Sequence, residues 1–219
     1  MQPNYKQLYN IVKKIFDKTN FFNHSAWDET FYTMRVYEIA KEIIKKIDQD
    51  VDEELILVSA LLHDIGKSKI NLSVMEDENK KSSSGRHEWK RHGVYGIPIA
   101  KKILEDLSFS KDFIDKVCYL VEFHDERHIE NKTIELMILQ DADLIADSGY
   151  AGFIRPFLYA GKRGRSIIDT LNYLNTVENR ADDKGLLNLE ISRVMAEEKM
   201  KIEKGLILEM SKEIESDLL

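Results

Sequence analysis

The stretch Leu61-Leu62-His63-Asp64-Ile65-Gly66-Lys67, "LLHDIGK", closes an apolar run. Leu55, Val58, Leu61 and Leu62 have the spacing of one helical face, and the run ends with an imidazole set directly beside a carboxylate. Gly66 is placed to be the left-handed residue that stops this helix just past His63-Asp64. Alone, the pair reads as a polar helix end. With further histidines and carboxylates in reach it reads as half of a metal site, because an acid near an apolar face is costly unless it is paired or bound to a cation.

Outward from this stretch, the apolar spacing is helical almost everywhere. Three prolines and ten glycines in 219 residues leave long segments unbroken. Leu8, Ile11, Val12, Ile15 and Phe16 make one stripe; Val36, Ile39, Ile43 and Ile47 make another, on a helix starting near Trp27-Asp28. Residues 68–88, "SKINLSVMEDENKKSSSGRHE", break the pattern and read as a long polar loop, of the kind that acts as a lid. Helices are predicted again over Trp89–Leu107, Lys111–His124, Thr133–Asp147 and around Phe153–Ala160, and a long amphipathic one runs from about Leu186 to the end. Strand-like alternation and internal repeats are missing from this pattern. The expectation is an all-α fold in a single domain, 1–219, with a core over 24–170 and a helical extension over 171–219.

Composition narrows the function. At 43% apolar content the chain can bury a full core. A net charge of −7 argues against a broad nucleic-acid footprint, although a local basic pocket for a small phosphorylated molecule is compatible with it. A single cysteine, Cys118, excludes an internal disulfide framework and a thiolate metal cluster, and its helical flanks predict a packed thiol. The first residues, "MQPNYKQLYN", have no apolar leader, and no segment approaches 18 uninterrupted apolar residues. The expectation is a cytoplasmic protein without a membrane span.

The six histidines carry the functional reading. His63 is paired with Asp64, His92 opens one helix, His124 ends the next and His128 follows one turn later; His24 and His87 lie in less regular stretches. Then comes "QDADLIAD" (140–147), carboxylates between apolar residues in a helical segment. Asp141 and Asp143 are two residues apart, roughly 200° around a helix, so one faces inward and the other is expected in solvent. Imidazole with carboxylate suits Mn²⁺, Mg²⁺, Co²⁺, Fe²⁺ or Zn²⁺, and a metal held by few protein groups keeps positions for water and a phosphate oxygen.

Four motifs, "ALLHDIGK" (60–67), "RHGVYGIPIAKKIL" (91–104), "VCYLVEFHDE" (117–126) and "LQDADLIADSGYAGFIR" (139–155), resemble the HD-domain superfamily of metal-dependent phosphohydrolases. The continuation through "GKRGR" (161–165) is similar to small bacterial HD proteins, some of which cleave nucleoside triphosphates. The resemblance spans roughly 28–170 and implies a helical bundle with a divalent metal between helices. It carries onto His63, Asp64 and Asp143 as the metal ligands, with Asp64 also catalytic and Asp141 as the fallback for Asp143. It carries onto His92 and His124 as binders of a second metal or the substrate phosphate. The implied activity is hydrolysis of a nucleotide or related phosphoester by a metal-activated water. Lys67, Arg155, Lys162, Arg163 and Arg165 are the candidate phosphate contacts, Arg for its bidentate fork; for the basic loop 161–165 a solvated surface loop is an equal alternative.

One departure matters. The family's first ligand is a histidine three residues before an Arg-Val pair; "FYTMRVYEIA" (31–40) puts Tyr32 there. A phenol of pKa near 10 must lose a proton to bind a metal well. His24, Asp28 or Glu29 could substitute, or the activity could be altered. Three alternatives therefore stay open: a catalytically impaired module that senses a nucleotide, an HD-type di-iron oxygenase, and, from "HDERH" (124–128), a zinc protease whose catalytic Glu is replaced by Asp125. The apolar stripe of the last helix reads as core or as the seam of a homodimer.

Overall fold

The computed structural model describes residues 4–19, 29–70, 91–162, 164–176 and 186–217. Among them every regular element is helical: α1 (Tyr5–Phe16), α2 (Glu29–Lys46), α3 (Glu53–Leu62), a short 3-10 turn (Ile65–Lys69), α4 (His92–Asp106), α5 (Lys111–Phe123), α6 (Ile134–Ala146), α7 (Tyr150–Lys162), α8 (Ile167–Thr176) and α9 (Glu190–Asp217). The all-α expectation holds.

Local chemistry starts these helices where the sequence says it should. The side chains of Asn4, Asp52, Ser110 and Thr133 accept the backbone N–H three residues on, at 3.0, 3.0, 3.3 and 3.2 Å, at the N-termini of α1, α3, α5 and α6. Such a cap is worth about 1 kcal/mol. Helix α1 buries Leu8, Val12 and Phe16, one face at four-residue spacing. Helix α3 differs: every residue from Leu55 to Leu62 is buried. A helix apolar on all sides must lie at the centre, and α3 packs against α1, α2, α5 and α6. Its C-terminal residues, His63 and Asp64, are therefore carried into the interior.

The 3-10 turn after Asp64 packs closely on α4, and α4 on α5. Glycine makes this approach possible. A Cβ on Gly66 would stand well inside contact distance of the His92 carbonyl oxygen and 2.5 Å from Gly96 N; one on Gly93 would stand 2.5 Å from Glu122 O. Gly66 was expected as a left-handed helix stop, but the left-handed glycines among the described residues are Gly149 and Gly164. Gly66 serves backbone proximity instead, because the chain continues into the 3-10 turn rather than reversing.

The C-terminal helices are tied on by buried acids. Asp141, expected in solvent or as a fallback ligand, is fully buried and turned away from the histidines. Its Oδ1 accepts from Asn188 N and Asn188 Nδ2, both at 2.8 Å, and its Oδ2 from Leu189 N at 2.9 Å, at the start of α9. Glu203 of α9 accepts in turn from Gly149 N at 3.0 Å, at the start of α7. Both carboxylates sit where unpaired helix N–H groups and the positive dipole end favour negative charge. Helix α9 accordingly begins at Glu190, four residues later than predicted.

The polar loop predicted at 68–88 lies mostly outside the described residues. Its first residues end the 3-10 turn, and Ile70 is buried. Trp27, Asp28, His24, His87 and Trp89 also lie outside them, as does the predicted start of α2 near Trp27. The stretch after the basic loop, which carried no clear pattern, forms α8. Cys118 is half-buried on α5 with its thiol 3.9 Å from Ile97 O, and burial pushes its pKa up, as expected of a packed thiol.

Candidate metal centre

Four helix ends converge on Asp64. His63 caps the C-terminus of α3, Asp64 begins the 3-10 turn, His92 opens α4 and His124 caps the C-terminus of α5. All four side chains are buried. Asp64 Oδ2 lies 3.1 Å from His63 Nε2 and is paired with Lys67 Nζ. Asp64 Oδ1 faces His92 Nε2 at 3.1 Å and His124 Nε2 at 3.4 Å. The two imidazoles meet Nε2 to Nε2 at 2.9 Å. At that separation two ring nitrogens share a proton or a cation.

Two of the imidazoles are oriented by the same device. His63 Nδ1 lies 2.8 Å from Ala60 O and His124 Nδ1 2.7 Å from Val121 O, each at the carbonyl three residues back. A carbonyl can only accept, so Nδ1 carries the proton and, in the neutral ring, Nε2 presents a lone pair to the cluster. This is the usual tautomer-setting bond behind a metal-bound histidine. His63 Nε2 is buried and makes no directed hydrogen bond, although Asp64 Oδ2 is close. A buried, orphaned nitrogen calls for a partner. Among the described residues, His63, Asp64 and His124 each offer a ligand atom, all within 4.8 Å of one another. Two imidazoles and a carboxylate without thiolate fit a divalent metal.

Electrostatics agree with the geometry. Burial alone would raise the Asp64 pKa, but Lys67 and His63 hold the carboxyl well below its usual range. Burial alone would lower that of His63, but the charges of Asp64 and Asp143 outweigh it and raise the ring from 6.5 to about 9. In the metal-free chain this paired, charged His63 therefore stabilises the fold fully below its unfolded pKa, and the contribution disappears as pH rises through about 9. Metal needs the neutral ring, so binding displaces a proton. Mn²⁺ affinity measured by calorimetry should rise by roughly fiftyfold between pH 7 and 9 and level off above that, with proton release at the lower pH. A pH-independent affinity would remove His63 from the ligands.

Asp143 also approaches His63, its Oδ1 3.6 Å from the same Nε2 that faces Asp64. Tyr32 Oη donates to Asp143 O at 2.8 Å and to Asp143 Oδ1 at 3.0 Å, and Arg127 Nη2 donates to Asp143 Oδ2 at 3.1 Å. Burial first, then the charge of Asp143, push the Tyr32 phenol well above its usual pKa. Tyr32 is therefore a protonated donor, its ring 6.3 Å from that of His63. Arg35, one turn on, donates to Ala146 O and Ser148 O at 3.1 and 3.3 Å and so anchors α2 to the end of α6.

The candidate phosphate contacts divide. Lys67 is buried against Asp64, its Nζ 5.6 Å from the centre of the Tyr32 ring. Arg155 stacks its guanidinium 4.1 Å above the same ring and pairs with Asp147. Arg165 is exposed in the turn after α7, where its N–H closes on Ala160 O, and Lys162 ends α7 with its side chain outside the described atoms. His24 and Arg163 also fall outside the described residues.

Two contributors were not legible beforehand. Arg127 lies in a charged run that reads as a fraying helix end, yet it is buried on Asp143 and on Gln140 O. Gln140 donates to Phe123 O and Glu126 O at 3.0 and 2.7 Å, capping the end of α5 that carries His124. The "QDAD" pattern hints at polar residues in a core helix, but nothing in it names their partners.

A model of the HD domain family matches residues 32–147, just over half of the chain. The chain belongs to the HD domain family. The HD match runs from Tyr32 to Asp147, taking in the convergence on Asp64 and leaving α7–α9 outside it. Solved structures share the fold. Bacillus subtilis YpgQ aligns with a TM-score of 0.66 at 19% identity, over 95% of this chain and 93% of that one. An HD-superfamily hydrolase from Bacillus thuringiensis aligns with a TM-score of 0.65 at 21% identity, over 96% of each chain. YpgQ in complex with ADP aligns with a TM-score of 0.61 at 19% identity, over 96% of this chain and 98% of that one. No curated protein matches the chain. No helix of the described residues is long and apolar enough to cross a membrane.

Proposed function

We propose that this HD protein is a metal-dependent phosphohydrolase acting on a phosphoester or phosphoanhydride of a nucleotide or related small molecule. The observation that carries the reading is the buried convergence of His63, Asp64 and His124, with His63 Nε2 beside Asp64 Oδ2 without a directed hydrogen bond and the Nδ1 atoms of His63 and His124 on backbone carbonyls. A divalent metal held by these residues supplies Lewis acidity toward a phosphoryl oxygen and a water acidified for attack. Asp64, kept anionic by Lys67 and His63, would accept a proton from the attacking water. His92, 3.1 Å from Asp64 Oδ1, belongs to the same cluster. Arg155, close above Tyr32 and only partly exposed, offers a planar cation to a phosphate, exchanging Asp147 for the incoming anion. A nucleotide suits these groups, and the complex of the fold relative YpgQ with ADP supports that choice.

The test is a panel of nucleoside mono-, di- and triphosphates with Mn²⁺, Mg²⁺, Co²⁺ and Fe²⁺, reading released phosphate and pyrophosphate. Metal-dependent turnover of at least one member is expected. Tyr32 favours a second reading, a module that senses a nucleotide, because it occupies the place of the family's first histidine as a hydrogen-bond donor. Tight binding without turnover across the panel would replace the first reading by the second.

A further inference from the structure

We propose that the metal of this HD protein is seated on Asp64 and the three histidines His63, His92 and His124, and that Asp143, the closing ligand implied by family resemblance, is held out of the ligand set by Tyr32 and Arg127. The inference rests on the metal dependence proposed above and changes which residues supply it.

The two sides of the cluster differ in what already occupies them. On the Asp143 side Oδ2 is engaged by Arg127 Nη2 at 3.1 Å, and Oδ1, at 3.0 Å, shares the single Tyr32 hydroxyl proton with the Asp143 backbone carbonyl at 2.8 Å. Arg127 is buried and is held a second time, by Gln140 O at 2.8 Å. A guanidinium so placed neutralises the carboxylate's charge, and a metal drawn to the same oxygen would face that cation. A histidine at position 32 would have offered a nitrogen lone pair here. Tyr32 offers a proton instead and spends it on Asp143.

On the other side Lys67 pairs with Asp64 Oδ2, as Arg127 does with Asp143 Oδ2, and Oδ1 is left to the histidines. Asp64 Oδ1, His92 Nε2 and His124 Nε2 lie 3.1, 3.4 and 2.9 Å from one another, the separations of atoms that share one ion. His63 Nε2 joins the set from Asp64 Oδ2; the convergent triad of the described residues is His63, Asp64 and His124, with His92 adjoining it through Asp64 Oδ1 and His124 Nε2 and Asp143 outside it. Nδ1 bonds to Ala60 O and Val121 O leave His63 and His124 oriented for coordination by Nε2. The donor set becomes nitrogen-rich, which favours Fe²⁺, Co²⁺ or Zn²⁺ over Mg²⁺.

The experiment reads metal binding, not turnover, on the full chain titrated with Co²⁺ alone. Binding is followed by elemental content, by visible absorption, and by proton NMR of exchangeable imidazole N–H groups shifted by the paramagnetic ion. The seat proposed here gives at least two shifted, exchangeable resonances in the unsubstituted protein, from His63 and His124, whose Nδ1 protons are shielded by their carbonyl bonds. Asp143→Asn, which still accepts from Tyr32, should leave Co²⁺ affinity within about threefold and the spectrum unchanged, whereas His92→Asn and His124→Asn should each lower affinity at least tenfold. A single shifted imidazole in the unsubstituted chain, or loss of Co²⁺ in Asp143→Asn with retention in His92→Asn and His124→Asn, overturns the inference and leaves the phosphohydrolase reading standing. Absence of any Co²⁺ binding by the unsubstituted chain overturns both.

Discussion

An Asp64→Ala variant is expected to lose metal-dependent hydrolysis to below detection and to bind metal at least about a hundredfold more weakly, since even residues behind the ligands cost 10–100-fold. The size of the effect follows from how much meets at this carboxylate. Oδ2 faces His63 and Lys67, and Oδ1 faces His92 and His124, so one substitution strips a shared acceptor from four cationic or cation-seeking groups. It also leaves Lys67, buried beside it, without that counter-charge. Removing one member of a buried pair costs about 3–5 kcal/mol, so the metal-free variant should melt earlier as well. Asp64→Asn separates the two effects, because it keeps the volume and an acceptor while removing the charge. Elemental analysis, calorimetric melting and the hydrolysis panel measure them together. Full metal content and full turnover in Asp64→Ala would refute the assignment of this centre.

Gly66→Ala is expected to destabilise the fold by about 3 kcal/mol or more, at the upper end for overpacking, a melting temperature lower by roughly 6–12 °C. The added methyl would press on the His92 carbonyl and stand 2.5 Å from Gly96 N, which are backbone atoms that no rotamer change can move aside. The 3-10 turn and α4 would have to separate. Asp64 begins the first and His92 opens the second, so the 3.1 Å contact between them should lengthen and Co²⁺ affinity should fall with stability. Gly205→Ala in α9 is the control: nothing lies within 4 Å of its Cβ position, and the helix should gain up to about 1 kcal/mol. A Gly66→Ala protein that melts with the parent would show that the turn and α4 do not pack this closely.

Helix stripes are local, and they were legible. Leu8, Val12 and Phe16 share a face because four-residue spacing puts them there in any helix, and they are buried in this one. The apolar run over 55–62 was read as one helical face and is buried on every side in the fold, and its polar end marked a candidate metal site. His63, Asp64, His92 and His124 were nameable in advance by type, by position at helix ends and by motif, and the fold brings them to one point.

Partners are another matter. The sequence carries Asp141 and Asp143 two residues apart, with nearly the same spacing to every motif. Tertiary structure sends Asp143 toward His63, under Tyr32 from 111 residues away and Arg127 from 16, and sends Asp141 to the start of α9 to hold Asn188 and Leu189. Gly66 is likewise a helix stop by local rule and a contact surface in the fold, because α4 arrives on it from beyond a long polar segment. Periodicity specifies which side of a helix is buried. Which charge, donor or backbone meets a residue there depends on how separate helices cross, and that is settled only when burial of all the apolar faces is satisfied at once.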